Sequence, residues 1–121
     1  MKVETELMRG AGPVAVLKLL ERSEKYGYEL VEALSASTGG VLAMGQSTLY
    51  PLLYNLEAKG MIEGFWREAD SGRDRKYYRM TPKGRKRLAE DGRQWERLTG
   101  AMITLGIVTG RITPAAQGVR P

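Results

Sequence analysis

The chain of 121 residues contains no cysteine and no histidine. Without cysteine it has no disulfide framework, no thiolate nucleophile and no cysteine-based metal site. Without histidine it lacks the commonest general base and the commonest metal ligand. Its acidic residues are scattered and no glycine-rich phosphate loop occurs. Catalysis is therefore the least favoured class of function, and we expect no cofactor and no metal.

Long apolar runs are also missing. The first seven residues carry Glu4 and Glu6 and lack the apolar segment of a signal peptide. The longest apolar stretch, residues 98–108, is interrupted by threonine and glycine, and it is shorter than the roughly 20 residues that cross a bilayer. Hydrophobic residues make up 42% of the chain and charged residues 27%, as in ordinary globular domains. We expect one cytoplasmic domain with an appendage and no membrane association.

Positive charge is concentrated in one segment. The net charge is +5, yet residues 65–87 hold nine basic and three acidic residues. A block of this kind is the electrostatic footprint of a polyanion-binding protein. A solvated basic face is the alternative, and charge alone does not separate the two.

Hydrophobic periodicity and capping residues predict the elements. Helices are expected over residues 10–22, 26–36 and 46–59, with residues 21–25 as a polar turn. Pro13 opens the first helix, Ser47 or Thr48 caps the third, and Gly60 ends it. Residues 61–68 and 76–81 predict a β-hairpin, in which one of Tyr77 and Tyr78 packs inward and the other does not. A fourth helix begins at Thr81-Pro82 and extends to about residue 106 or 110.

This order predicts a mainly α fold with a small β-hairpin (α+β). It is the anatomy of a winged helix-turn-helix domain, over residues 1–81, followed by a long C-terminal dimerisation helix over residues 82–110. Residues 111–121 are expected to be a disordered tail.

The third helix has one leucine face and one face suited to reading DNA. Leu49, Leu52, Leu53 and Leu56 follow helical spacing and face the core. Asparagine can bond an adenine edge, hydroxyls serve bases or phosphates, and rings contact thymine methyls. A plain amphipathic helix is the alternative, although its exterior would more often carry Lys and Glu pairs. The DNA-binding candidates here are Gln46, Ser47, Thr48, Tyr50, Pro51, Tyr54, Asn55 and Lys59.

The hairpin is the second candidate DNA contact. Arg67, Arg73, Arg75 and Lys76 lie on or beside its turn, where a wing reaches the phosphate backbone or the minor groove. Gly72 supplies the conformational freedom of the tip. An ordinary charged surface hairpin is the alternative.

The fourth helix carries an apolar seam. Leu88, Trp95, Leu98, Met102 and Leu105 recur at a/d spacing. A domain this small has little use for a long helix with its own seam, so we expect a homodimer interface there. The alternative is that the helix folds back on its own domain, with Leu88 as the residue that would make this contact.

Several short strings of the sequence resemble the PadR family of bacterial transcriptional regulators, in its subgroup with a single C-terminal helix. The resemblance covers roughly residues 10–105. It is carried by Tyr26-Gly27-Tyr28-Glu29-Leu30, Ser47-Thr48-Leu49-Tyr50-Pro51-Leu52-Leu53, Leu56-Glu57-Ala58-Lys59-Gly60-Met61-Ile62, Arg75-Lys76-Tyr77-Tyr78-Arg79-Met80-Thr81 and Gly84.

This resemblance implies a nucleoid-associated homodimer that binds double-stranded DNA, usually as a repressor on an inverted-repeat operator. Some family members are released from DNA by planar aromatic compounds bound at the dimer interface, so the resemblance also points to a small planar aromatic effector as a candidate partner. Trp95 is the candidate ligand residue and Met102 flanks it. Trp95 as a plain anchor of the dimer core is the alternative. A winged-helix module that binds an acidic protein partner is the second class of function. The glycines of the fourth helix and the Gly-Pro approach to the first depart from the family pattern.

Overall fold

The computed structural model describes residues 1–110. Within these residues four helices and three strands follow one another, and the α+β class is the one that the sequence predicts. The predicted tail, residues 111–121, lies outside the described residues. The elements are α1 (Thr5–Arg22), β1 (Lys25–Tyr26), α2 (Gly27–Ser37), α3 (Gln46–Ala58), β2 (Ile62–Glu68), β3 (Asp74–Met80) and α4 (Pro82–Thr104).

The sheet has a strand that sequence patterns miss. Its three antiparallel strands follow the order β1-β3-β2. Lys25 pairs with Tyr78 and Tyr26 with Tyr77, so the predictions of a turn at Lys25 and of a helix at Tyr26 were wrong. A two-residue strand shows no alternation of its own, and a remote segment of the chain completes it. The third strand also begins earlier than predicted, at Asp74.

Helix α1 begins at Thr5, and not near residue 10. Pro13 therefore lies inside the helix, although an interior proline costs ~3 kcal/mol. Tertiary packing outweighs that propensity, because Met8 and Gly12 are buried. A Cβ on Gly12 would stand 2.9 Å from Cδ1 of Leu52 and 3.2 Å from Cε of Met44. The early turns of α1 thus pack closely against α3 and the loop before it.

The N-terminus of α3 is also capped differently from the prediction. Gly45 is the N-cap residue, and no side chain caps it. Pro51 then lies beyond the first turn, so its missing N–H leaves the carbonyl of Ser47 without its usual helical donor. Gly60 ends the helix as predicted, with φ +77°. Its N–H bonds the Glu57 carbonyl.

The connection into α4 matches the predicted cap. The hydroxyl of Thr81 accepts a hydrogen bond from the N–H of Gly84 at 3.0 Å. Gly84 is buried against the backbone of the α3–β2 connection, where a Cβ would overlap the carbonyl oxygen of Met61. The helix ends at Thr104, short of the predicted limits, and Gly106 follows in the left-handed region at φ +82°.

The core forms between the first three helices and one face of the sheet. Tyr77 and Tyr78 lie on opposite faces of the sheet and only Tyr78 packs inward, as predicted, although Tyr77 is also buried. Tyr78 joins the helical core, whereas Tyr77 is covered on the opposite face by Tyr26 and Phe65. The largest fully buried side chains are Val16, Leu17, Leu30, Leu49, Leu53 and Ile62.

The chain divides into two compact units, Met1–Ala89 and a second one beginning at Glu90. The first contains the sheet, the first three helices and the start of α4. The second, within the described residues, contains the rest of α4 and the turn to residue 110. Within residues 1–110, none of the helices has the length and apolar character that crossing a bilayer requires.

Candidate nucleic-acid interface

Helix α3 presents the predicted reading face to solvent. Its buried residues are Leu49, Leu53 and Leu56, which lie on the leucine side. All the reading-face candidates are exposed: Gln46, Ser47, Thr48, Tyr50, Pro51, Tyr54, Asn55 and Lys59. Uncharged polar and aromatic groups on one exposed helical face can bond base edges and pack against thymine methyls.

The two tyrosines of this face differ in their surroundings. Tyr54 is 77% exposed, whereas Tyr50 is 46% exposed. The hydroxyl of Tyr50 lies over Gly27, the first residue of α2, where a Cβ would stand 2.5 Å from it. The neighbouring helix therefore orients Tyr50 and leaves Tyr54 free to adapt.

The tip of the wing is a short turn with an exposed cation. The N–H of Ala69 bonds the carbonyl of Arg73 at 2.9 Å, and Gly72 occupies φ +83°. Arg73 is exposed. Within residues 1–110, its guanidinium makes no hydrogen bond, ion pair or ring contact. Arg73 is the predicted wing residue that is best able to meet a phosphate.

Two other predicted wing residues are stacked on the outer face of the sheet. The guanidinium of Arg67 lies 3.8 Å from the ring centre of Tyr77 and donates to Glu24 at 3.1 Å. The guanidinium of Arg75 lies 4.4 Å from the ring centre of Tyr26. Cation–π contacts hold both side chains against the protein, and the ion pair with Glu24 adds to this for Arg67 alone.

Tertiary contacts therefore divide the basic block that the sequence shows as continuous. Arg67 and Arg79 both pair with Glu24, and Arg79 also pairs with Glu63 at 3.1 Å. The hydrogen bond to Glu63 raises the pKa of Arg79 above its ordinary value. Lys76 pairs with Glu57 at 3.3 Å. These side chains are partly neutralised by acidic residues from elsewhere in the chain.

Sequence reasoning missed Trp66. This residue is 69% exposed, and strand alternation places it on the face opposite Phe65 and Arg67. It lines a cleft of about 590 Å³ between the wing and the start of α3, together with Gln46 and Tyr50. A count of alternation along β2 would have separated Trp66 from the outer face, because successive side chains point to opposite sides.

The predicted seam residues fall into two groups. Leu88 packs against the core of the first unit, so only its remaining surface is available to a partner. In the second unit Trp95 is 38%, Leu98 43% and Leu105 72% exposed. Met102 is half-buried. The dimer role of these residues stays a prediction.

Comparison with known proteins agrees with this anatomy. Residues 16–90 match the model of the transcriptional regulator PadR-like family. The chain is 39% identical over 98 residues to "Transcriptional regulator Rv3488" of Mycobacterium tuberculosis, covering 81% of this chain and 88% of that protein.

Solved structures show the same similarity. A PadR family transcriptional regulator from Eggerthella lenta is 39% identical with a TM-score of 0.72, over 83% of this chain and 85% of that one. Bacillus subtilis PadR, solved in complex with operator DNA, is 25% identical with a TM-score of 0.61, over 66% of this chain and 46% of that one. The matched segment, the relatives and the winged-helix architecture agree, and the chain belongs to the PadR-like family of transcriptional regulators.

Proposed function

We propose that this regulator binds a specific double-stranded DNA site, with α3 in the major groove and the wing on the adjacent backbone. The observation that carries the proposal is the exposed, nearly uncharged reading face of α3 beside the cationic wing tip at Arg73. Bacillus subtilis PadR in complex with operator DNA supports the same assignment. Base contacts would supply specificity, and phosphate contacts would supply position and most of the salt dependence.

We further propose that the protein acts as a homodimer on an inverted repeat. The seam residues of the second unit leave substantial apolar surface exposed, which an isologous contact with a second copy would cover. Two copies related by a two-fold axis present two reading helices in opposite orientations. The operator would then consist of two half-sites related by inversion, about one helical turn or a multiple of it apart.

We propose a repressor as the regulatory form. Release by a planar aromatic effector is one interpretation of the seam, and Trp95 as a plain anchor of the dimer core is the other. Trp95 and Met102 lie on the seam, and a large aromatic face there can stack on a flat apolar ligand. Such a ligand would change DNA affinity only through its differential affinity for two arrangements of the dimer.

The experiment that tests DNA recognition is selection of binding sites from a randomised duplex library by the purified full-length protein. The expected result is an enriched inverted repeat, bound far more tightly than a scrambled duplex of the same composition. The double variant Tyr54→Ala/Asn55→Ala lacks two of the candidate base contacts and should enrich no single sequence strongly. Equal binding of all duplexes by the wild type would contradict the proposal and favour the alternative of an acidic protein partner for the basic hairpin.

A further inference from the structure

Glu57, on the last turn of α3, connects the reading helix to both strands of the wing. Its Oε1 lies 3.3 Å from Nζ of Lys76 on β3, and its Oε2 accepts a hydrogen bond from the backbone N–H of Gly64 on β2 at 3.3 Å. The Glu57 and Lys76 side chains are 32% and 35% exposed, so water screens this pair only in part. We call the Glu57, Lys76 and Gly64 contacts the α3–wing strut.

Gly64 has a specific place in this strut. A Cβ at this position would overlap Cε of Lys76 and stand 3.0 Å from Oε2 of Glu57. Glycine inside a strand weakens it and often marks a close approach. The close approach here is that of the Lys76 and Glu57 side chains, which explains why a strand interior carries glycine.

We propose that Glu57 is a positioning residue that sets the reading helix relative to the wing, and that Lys76 serves this strut in place of a phosphate contact. The proposal rests on the proposed DNA-binding function, which it deepens. Specific binding requires α3 and the wing to reach their targets simultaneously, so a relative displacement weakens it. Non-specific binding depends mainly on the total positive charge that faces the phosphates.

Because of this difference, the strut and general electrostatics predict opposite changes in specific DNA affinity when Glu57 is substituted. Glu57→Ala removes a negative charge from the end of the reading helix and releases the ammonium of Lys76. General electrostatics therefore predicts tighter binding to every duplex. The strut predicts weaker binding to the selected site, because the helix and wing are no longer held together, while non-specific binding stays equal or tightens.

The test compares the affinities of wild-type protein and variants for the selected site and for a scrambled duplex, at several salt concentrations. For Glu57→Ala we expect the ratio of specific to non-specific affinity to fall about tenfold. Glu57→Gln should lose less, because its amide oxygen still accepts the Gly64 N–H. Glu63→Ala is the matched control: it removes the same charge from β2, its partner Arg79 keeps Glu24, and the ratio should not change.

Lys76→Met separates the two roles of the lysine. The strut predicts an unchanged slope of log affinity against log salt, whereas a phosphate contact predicts that the slope shrinks by about 0.9. Thermal unfolding of each variant identifies general destabilisation, which lowers the active fraction for both duplexes equally and leaves their ratio constant. An undiminished ratio in Glu57→Ala, or a reduced slope in Lys76→Met, would overturn the proposal.

A measurement without DNA makes the strut testable on its own. Amide hydrogen exchange at Gly64 should accelerate in Glu57→Ala and stay unchanged in Glu63→Ala, because only the first removes the acceptor of the Gly64 N–H. Unchanged exchange at Gly64 would show that the strut does not form. Absence of any site preference in the wild type would instead remove the proposed DNA-reading function, whatever the exchange result.

Discussion

The phenol of Tyr50 rests on Gly27. These residues belong to consecutive helices, and a Cβ on Gly27 would stand 2.5 Å from the Tyr50 hydroxyl oxygen and 2.8 Å from its ring carbon Cζ. Because Gly27 has no side chain, the start of α2 leaves space for the Tyr50 ring of the reading face. The φ angle of Gly27 is not positive, so its backbone conformation does not require glycine. The space needed by the Tyr50 ring explains the glycine at this position.

Gly27→Ala should displace the Tyr50 ring and weaken specific DNA binding without unfolding the protein. The far end of a tyrosine can move, so we expect the free energy of unfolding to fall by only about 1 kcal/mol, the low end of the range for overpacking. Affinity for the selected DNA site should fall severalfold in a fluorescence anisotropy titration. Gly10→Ala is the control, since a Cβ there meets nothing within 4 Å. Unchanged site affinity in Gly27→Ala would exclude Tyr50 as an oriented contact.

Arg73→Ala should weaken binding to all duplexes and reduce the salt slope of log affinity by about 0.9, the value for one lost phosphate contact. Arg79→Ala removes the same charge from the outer sheet face, where Glu24 and Glu63 already pair with it, and should leave the slope close to that of the wild type. Arg75→Ala should fall between them, because this side chain stacks on Tyr26. Equal slopes for all three would rule out a special role for the wing tip.

Asn55→Ala and Tyr54→Ala should each reduce binding to the selected site by about 1–3 kcal/mol and leave binding to scrambled DNA nearly intact. Both side chains are exposed, so little change in stability is expected. The measurement is a mobility shift on both duplexes at one salt concentration. A parallel loss on both duplexes would mean that these residues position the helix and do not read bases.

Gly84→Ala should destabilise the first unit strongly. Its Cβ would overlap a backbone carbonyl oxygen, that of Met61, which cannot move aside as a side chain can. Overpacking of this kind typically costs about 1–3 kcal/mol, measurable by urea unfolding. Gly92→Ala, on the same helix, meets nothing within 4 Å and should instead stabilise by up to about 1 kcal/mol. Similar midpoints for the two variants would contradict this packing of Gly84.

Trp95 separates the two interpretations of the seam. If a planar aromatic effector binds there, flat aromatic dyes should quench Trp95 fluorescence saturably, and Trp95→Ala should abolish dye binding while the dimer persists. The titration is made in the Trp66→Phe variant, because the chain has only two tryptophans and Trp95 is then the only one that fluoresces. If Trp95 is a plain dimer anchor, dyes have no effect and Trp95→Ala dissociates the dimer in sedimentation. A monomeric wild type at micromolar concentration would contradict both.

Local patterns along the chain were enough to predict most of the architecture. The leucine spacing of α3 predicted its buried side, and therefore its exposed side, because helical periodicity is a property of neighbouring residues. The cap at Thr81 and the stop at Gly60 were predictable for the same reason. By contrast, the predicted start of α1 was wrong by several residues. Pro13 alone indicates a later start, but the burial of Met8 and Gly12 by other elements extends the helix toward the N-terminus.

The electrostatics of the candidate site depended on the fold. In the sequence, Arg67, Lys76 and Arg79 belong to one basic block. In the folded chain each meets a glutamate 16 to 55 residues away. The burial of the Tyr77 ring and the formation of the two-residue strand β1 also depend on the fold. Both arise where β1 pairs with β3, which is about 50 residues away in the sequence. Ion pairing and strand pairing are set by distances in space, whereas periodicity reports only which side of its own element a residue occupies.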